Sequence, residues 1–404
     1  MKKGTPSATI RLKRNRHKPV HRRHPWIFSG SIKEVEGTPQ NGDVVDVVDV
    51  GNNWLARGYW NRNSQIRVRL LTWQEEEPID ATFWRRRLER ANAGRSTLAH
   101  DPETTAYRIV HAESDYAPGL IVDRYGDWIV VQFLTLGAEV WRDEIVSALE
   151  AQFSPKGIYE RSDVDVREKE GLEPRTGVLL GERPPERVKV IENGHPFLVD
   201  LREGQKTGFY LDQRKNRARL PTLCEGAEVL DAFSYTGAFS VYAAAGGATS
   251  LTLVDSSAPA LRLAEENLAL NGVDGSRFET VEGDVFSVLR TYRAEERRFD
   301  AIVVDPPKLA RSRREVDQAA RAYKDVNLLA FQLLRPGGKL LTTSCSGGVS
   351  ADLFQKIIFG AALDAECKAQ IVGRLAQGAD HPIALTFPEG AYLKGLLVRV
   401  VEQL

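Results

Sequence analysis

Through the first seventy residues, apolar and polar positions alternate in short runs broken by Gly, Asn and Pro. This period of two predicts strands at 9–13, 43–50, 54–60 and 65–73, plainest in Arg67-Val68-Arg69-Leu70, and such strands fit a small β-barrel. Glu75-Glu76-Glu77-Pro78 reads as a linker. A helix is predicted from 79 to about 92, with Phe83, Trp84 and Leu88 inward and Arg85, Arg86, Arg87 and Arg90 outward. Strands follow near 107–111, 119–123, 128–134, 157–161 and 176–181, with a helix at 138–152. Asn193-Gly194 between alternating apolar runs predicts a tight hairpin. From about 195 the period changes to strand–helix alternation. Strands are predicted at 228–232, 250–255, 277–281, 300–304, 338–343, 367–373 and 393–401. Helices fit 237–245, 257–271, 315–334 and 351–362. The fold class expected is therefore α/β, a largely parallel seven-stranded sheet with a final antiparallel pair, preceded by the barrel and an α+β block.

Three blocks result: 8–77, 78–194 and 195–404. All seven Trp precede residue 142 and all three Cys follow residue 223, as if different building units were joined in series. The composition, 42% hydrophobic and 27% charged, excludes a disordered or collagen-like chain. Three cysteines without zinc-ligand spacing argue against a disulfide scaffold or metal site and for a reducing, cytoplasmic setting. No apolar run approaches the ~18–20 residues that span a bilayer.

The formal charge is zero, from 55 basic and 55 acidic residues, but it is unevenly spread. Ten Lys or Arg precede Glu34, the first acid, which leaves 45 basic against 55 acidic residues behind it. A basic arm leading an acidic body suggests a polyanionic partner, although a solvated tail or a targeting segment would show the same charge.

Two constellations carry candidate chemistry. The strand ending in Asp231 runs through Phe233-Ser234-Tyr235-Thr236-Gly237 into a helix, and the next strand ends in Asp255. Asp284 and Asp305 follow the third and fourth strands, so four acids would face one crevice beyond the carboxyl ends of the sheet. Dinucleotide binding wants G-x-G-x-x-G, whereas here Gly237 is accompanied by bulky Phe233 and Tyr235; that suits a ligand without phosphate, such as S-adenosylmethionine. The plain alternative is that the acids merely cap helices. The second constellation is Asp305-Pro306-Pro307 after the fourth strand and Cys345 after the fifth. Two prolines hold the carboxylate outward, ready to accept from a nucleobase amine. A cysteine at such a rim is a candidate nucleophile, while Cys224 and Cys367 read as fillers. Thiolate addition to C6 of a pyrimidine would move electron density to C5, which could then attack a methyl donor.

The runs at 207–217 (TGFYLDQRKNR), 231–240 (DAFSYTGAFS), 305–308 (DPPK), 342–346 (TTSCS), 380–382 (DHP) and 388–395 (PEGAYLKG) resemble the large-subunit ribosomal RNA methyltransferase I family. The resemblance covers nearly the whole chain. It implies an N-terminal PUA domain over 8–77, a middle domain over 78–194 and a class I S-adenosylmethionine-dependent catalytic domain over 195–404. It further implies that Cys345 is the nucleophile, with Asp305 beside it, making 5-methylcytosine in 23S rRNA. The donor would lie near Phe209, Asp212, Arg214, Asp231, Phe233, Thr236, Gly237, Asp255, Asp284 and Asp305. Related guanine-N7 enzymes share Asp-Pro-Pro but lack the cysteine, so Cys345 carries most of the cytosine-C5 reading.

Candidate RNA contacts are Arg11, Lys13, Arg14, Arg22 and Arg23 on the arm, and Lys308, Arg311, Arg313 and Arg314 beside Asp305. Arg85–Arg87 is a further cluster, better read as a solvated face. His381 could be a proton shuttle or a structural histidine. The partner expected is 23S rRNA, with no membrane and no metal; a homodimer is compatible with the sequence. Competing functions are methylation of another base or of DNA, and a non-catalytic role in ribosome assembly.

Overall fold

Strands form where the alternation predicts them, with two short additions. The structure, a computed structural model, describes residues 4–310 and 312–403, with the backbone alone at Arg313. The chain divides into two compact units, and neither is continuous in sequence. The first comprises Met1–Val190, Val199–Phe209 and Ala379–Gly390; the second comprises Ile191–Leu198, Tyr210–Gly378 and Ala391–Leu404. The barrel-like and middle blocks thus share one unit, and two segments of the last block join them.

In the first unit a six-stranded sheet runs in the order Trp26–Phe28, Ile66–Thr72, Trp54–Trp60, Val44–Val48, Ala8–Leu12 and Ile32–Glu36. The first and last of these are the unpredicted strands; one has three residues and the other, Ile-Lys-Glu-Val-Glu, buries none fully. A five-stranded sheet follows, ordered Arg175–Gly181, Gly157–Ser162, Trp128–Phe133, Leu120–Tyr125 and Ala106–His111. The helix Ala81–Ala93 starts at Asp80, whose carboxylate accepts from Phe83 N at 2.8 Å. Its Phe83, Trp84 and Leu88 enter a core shared with Ile109, Val122 and Ile145. Arg87 corrects the outward expectation: its guanidinium donates to Leu71 O at 2.7 Å and lies 4.7 Å from the Phe83 ring. Arg85 and Arg86 are exposed as expected.

In the second unit seven strands form one sheet: β1 (Glu228–Ala232), β2 (Ser250–Asp255), β3 (Phe278–Glu282), β4 (Phe299–Val304), β5 (Leu334–Ser344), β6 (Cys367–Ala376) and β7 (Lys394–Gln403). The order is 3-2-1-4-5-7-6, with β7 antiparallel to both neighbours and the rest parallel. Buried Leu230, Ile302, Val304 and Leu340 pack under the helix Val316–Leu333 through Tyr323, Val326 and Phe331. The helix Val285–Ala294 escaped the sequence reading; it is only ten residues long and buries just Val285, Leu289 and Tyr292. Asn193 and Gly194 both take positive φ (49° and 81°), as a two-residue hairpin turn requires.

Candidate active site

Strand order reverses between β1 and β4, so the loops after these two strands diverge and open a crevice at their carboxyl ends. Asp231 lies one residue from the end of β1 and is buried. One carboxylate oxygen accepts from Ser240 Oγ at 2.7 Å, and the other has no partner among the described residues. Burial pushes its pKa up to about 7, and the nearby charges of Asp305 and Asp255 push the same way.

The loop after β1 is strained in a specific way. Phe233 (φ 66°) and Tyr235 (φ 48°) hold left-handed backbone that aromatic residues rarely adopt. Two amides, Phe233 N and Ser234 N, donate to Val254 O of β2 and fix the path of the chain. Gly237 (φ 71°) ends the loop and begins the helix Ala238–Ala245; a Cβ there would stand 2.9 Å from Ala264 Cβ. Asn267 braces the loop from the next helix, donating to Thr236 O at 3.0 Å. Asp255, the last residue of β2, accepts from Tyr235 N and Ser257 N, each at 2.9 Å and each on a different oxygen. Asp284 is exposed and does cap a helix, accepting from Ser287 N at 2.9 Å. The capping alternative therefore describes Asp284 but not Asp231 or Asp255.

The other side of the crevice is built from β4 and β5. Asp305, just past β4, accepts from Gln213 Nε2 at 2.8 Å and from Thr343 Oγ1 of β5 on the same oxygen. Cys345 follows β5 directly and is partly exposed. Its neighbour Ser346 ties the two strand ends together: Ser346 Oγ accepts from Ala310 N and bonds Tyr323 Oη, both at 3.0 Å. Tyr210 was not singled out in the sequence, yet burial raises its pKa strongly, and the charges of Asp305, Tyr235, Asp212 and Cys345 add to this. Its ring meets Tyr235 edge-on at 5.4 Å. Asp212 is buried and accepts from Tyr392 Oη at 2.7 Å. Arg214 is buried on the same short helix as Arg217, which forms a buried bidentate pair with Glu192 at 2.7 Å.

Comparison with known proteins agrees with this arrangement. Residues 10–73 match the PUA-like domain model, and residues 173–399 match that of S-adenosylmethionine-dependent methyltransferases. A "Ribosomal RNA large subunit methyltransferase I" of Shewanella denitrificans is 52% identical over 392 residues, covering 97% of this chain and 99% of the relative. One of the same description from Tolumonas auensis is 51% identical, covering 98% and 100%. The chain belongs to the ribosomal RNA large subunit methyltransferase I family. Among solved structures, a candidate S-adenosylmethionine-dependent methyltransferase from Streptococcus mutans superposes with a TM-score of 0.83 at 25% identity, covering 97% of this chain and 100% of that one. A candidate methyltransferase complexed with SAH superposes at 0.85, also with 25% identity and the same coverage.

As a member of this family the protein uses S-adenosylmethionine, and the crevice fits that donor. Asp231 leaves a buried carboxylate oxygen unpartnered, and the buried hydroxyls of Ser234 and Thr236 likewise lack partners among the described residues. A ligand carrying a sulfonium, an ammonium and ribose hydroxyls answers both the crowding of acids and the open hydroxyls.

The remaining predicted residues are placed as follows. Phe209 is buried and is the last residue of its segment in the first unit, directly before Tyr210 of the second. Arg11 is half-buried in the six-stranded sheet, paired with Glu36 and Asn52, with Glu34 at 3.5 Å. Lys13, Arg14, Arg22 and Arg23 are exposed. Lys308 and Arg314, which follow Asp305 in the chain, are exposed; Arg311 and the Arg313 side chain lie outside what the structure describes. His381 is buried in the first unit, its Nδ1 3.2 Å from Asp380 and its ring 5.2 Å from that of His111. Arg95 donates to Asp380 O, and Asp380 accepts from Arg108 N, a buried network beside His381. Cys224 is wholly buried, its pKa raised to about 11 by burial. No helix among the described residues is long and apolar enough to cross a membrane.

Proposed function

We propose that this protein methylates C5 of a cytosine in large-subunit (23S) ribosomal RNA, with Cys345 as covalent nucleophile. The observation that carries the reading is the pairing of two strand ends: Cys345 after β5 and Asp305 after β4, joined through the Thr343 hydroxyl. The printed names of the relatives supply the substrate class. A cytosine must leave its stack to enter such a crevice, so an unpaired or locally opened nucleotide is the target.

Asp231, Thr236, Gly237 and Asp255 would hold S-adenosylmethionine, which would supply an electrophilic methyl group. Asp305, its carboxylate oriented by Gln213 and Thr343, accepts from the exocyclic amine on the N3/N4 edge of the base. The Cys345 thiolate adds to C6 and breaks the C5–C6 double bond, leaving C5 nucleophilic towards the methyl. Transfer of the C5 proton to water and departure of the Cys345 thiolate from C6 then restore the C5–C6 double bond. Exposed Lys308 and Arg314 follow Asp305 in the chain and suit phosphates near the target base, while exposed Lys13, Arg14, Arg22 and Arg23 suit other phosphates of the RNA.

Bisulfite sequencing of rRNA from cells with and without the protein tests the whole reading; a cytosine that changes status supports it, and none changing ends it. Cys345→Ala should abolish methylation while S-adenosylmethionine binding survives. RNA containing 5-fluorocytosine should form a covalent adduct with the wild type and none with this variant. Near wild-type turnover by Cys345→Ala would make the thiol a filler. Absence of donor binding in the wild type would favour a non-catalytic assembly role.

A further inference from the structure

Lys394 is the first residue of β7 and lies opposite Ser344 in the β5–β7 ladder, one residue from Cys345. Its side chain is partly buried. The amine donates to Ser346 O at 2.6 Å and Val349 O at 2.9 Å, two carbonyls of the turn that follows the cysteine. That turn is closed by Val349 N donating to Ser346 O, so one amine holds both of its ends. An amine with two N–H groups given to carbonyls has one tetrahedral position left, which carries either a third proton or a lone pair.

Among the described residues, two charged groups act on this amine. Cys345 and Lys308 act on it directly, with opposite signs, and burial outweighs both, so its pKa falls to about 8. Tyr323, from the helix Val316–Leu333, and Tyr210 face the Cys345 side, and Asp305 faces Tyr210. Among the described residues, Lys394 is thus a partly buried cation set against the thiol, whereas Lys308 is exposed.

We propose that Lys394 is a positioning residue for Cys345: its amine pins the turn carrying the thiol, and its positive charge holds that thiol as thiolate. This rests on the nucleophile reading above and extends it to the group that readies the nucleophile. The proton balance is simple. Heterolysis of the S–H bond leaves the electron pair on sulfur; its proton goes to the Lys394 amine where that amine is neutral, and to water where it is already ammonium, and the thiolate expelled at the end of the reaction meets the same ammonium. The C5 proton is not assigned to Lys394.

The experiment reads the thiol, with neither RNA nor turnover involved. Iodoacetamide labelling of Cys345 is followed by peptide mass spectrometry across pH in the wild type, Lys394→Gln and Lys394→Arg. Glutamine keeps N–H donors for the two carbonyls but no charge, so it separates pinning from electrostatics. The midpoint of labelling should rise by about one pH unit in Lys394→Gln, about tenfold less thiolate at neutral pH, and stay near wild type in Lys394→Arg. A Lys394→Gln midpoint equal to that of the wild type overturns the proposal. A reciprocal measurement needs no change at 394: the Lys394 titration, read by NMR of 13C-labelled lysine, should move to lower pH in Cys345→Ser. An unmoved lysine overturns the proposal even where the glutamine variant fails to fold. Neither readout uses methyl transfer, so failure here is distinct from active Cys345→Ala, which would remove the nucleophile itself.

Discussion

Asp231→Asn should reverse its effect on stability between acid and alkaline pH. The Asp231 carboxyl is buried and its pKa is raised from 3.8 to about 7. The folded state therefore binds its proton more tightly than the unfolded chain, and stability is lost as pH rises from about 4 through about 7. About three pKa units correspond to about 4 kcal/mol in the donor-free protein. Asparagine cannot ionise and escapes that loss. Its amide nitrogen would replace the carboxylate oxygen that lacks a partner, at a pH-independent cost of about 1–3 kcal/mol. The variant should thus be less stable than wild type near pH 4 and more stable near pH 8, with a crossing between. All seven Trp lie in the first unit, so tryptophan emission would report the wrong part of the molecule. Urea unfolding followed by hydrogen-exchange mass spectrometry of peptides covering Glu228–Ala232 reads the right one. Saturating S-adenosylmethionine at pH 8 should return the advantage to the wild type, because a cationic ligand compensates the carboxylate. A stability difference that does not vary with pH would refute the reasoning.

Two further outcomes are expected. Arg217→Met leaves Glu192 buried and uncompensated and should destabilise the second unit by about 3–5 kcal/mol, measured by urea unfolding with the same exchange readout. Arg22→Ala with Arg23→Ala removes two exposed cations and should weaken RNA binding and flatten its salt dependence by up to about two units of log–log slope, without changing S-adenosylmethionine affinity.

Much of the sheet was legible because its strands are long, apolar and ended by acids. Asp231, Asp255, Asp305 and Cys345 all follow from strand ends, and their places in the fold match that reading. Arg87 was misjudged for a physical reason. Periodicity tells which residues alternate, not which carbonyl a long side chain can reach. Tyr210, Gln213, Thr343 and Lys394 lie within or beside the runs quoted from the sequence. Nothing in their spacing shows that they converge on Asp305 and the turn after Cys345.

The sequence by itself determined most of the strands and helices in order, the acids and the cysteine that end the strands, and the separation of a basic arm from an acidic body. Those properties are local or additive, and a single chain reading exposes them. Only the tertiary structure decided that Asp231 keeps a buried oxygen without a partner, that Asp284 caps a helix, that Arg11 is held in ion pairs, and that a lysine more than forty residues beyond Cys345 in sequence grips its turn. Each depends on desolvation and on contacts between residues far apart in the chain, and these exist only once the backbone has closed around them.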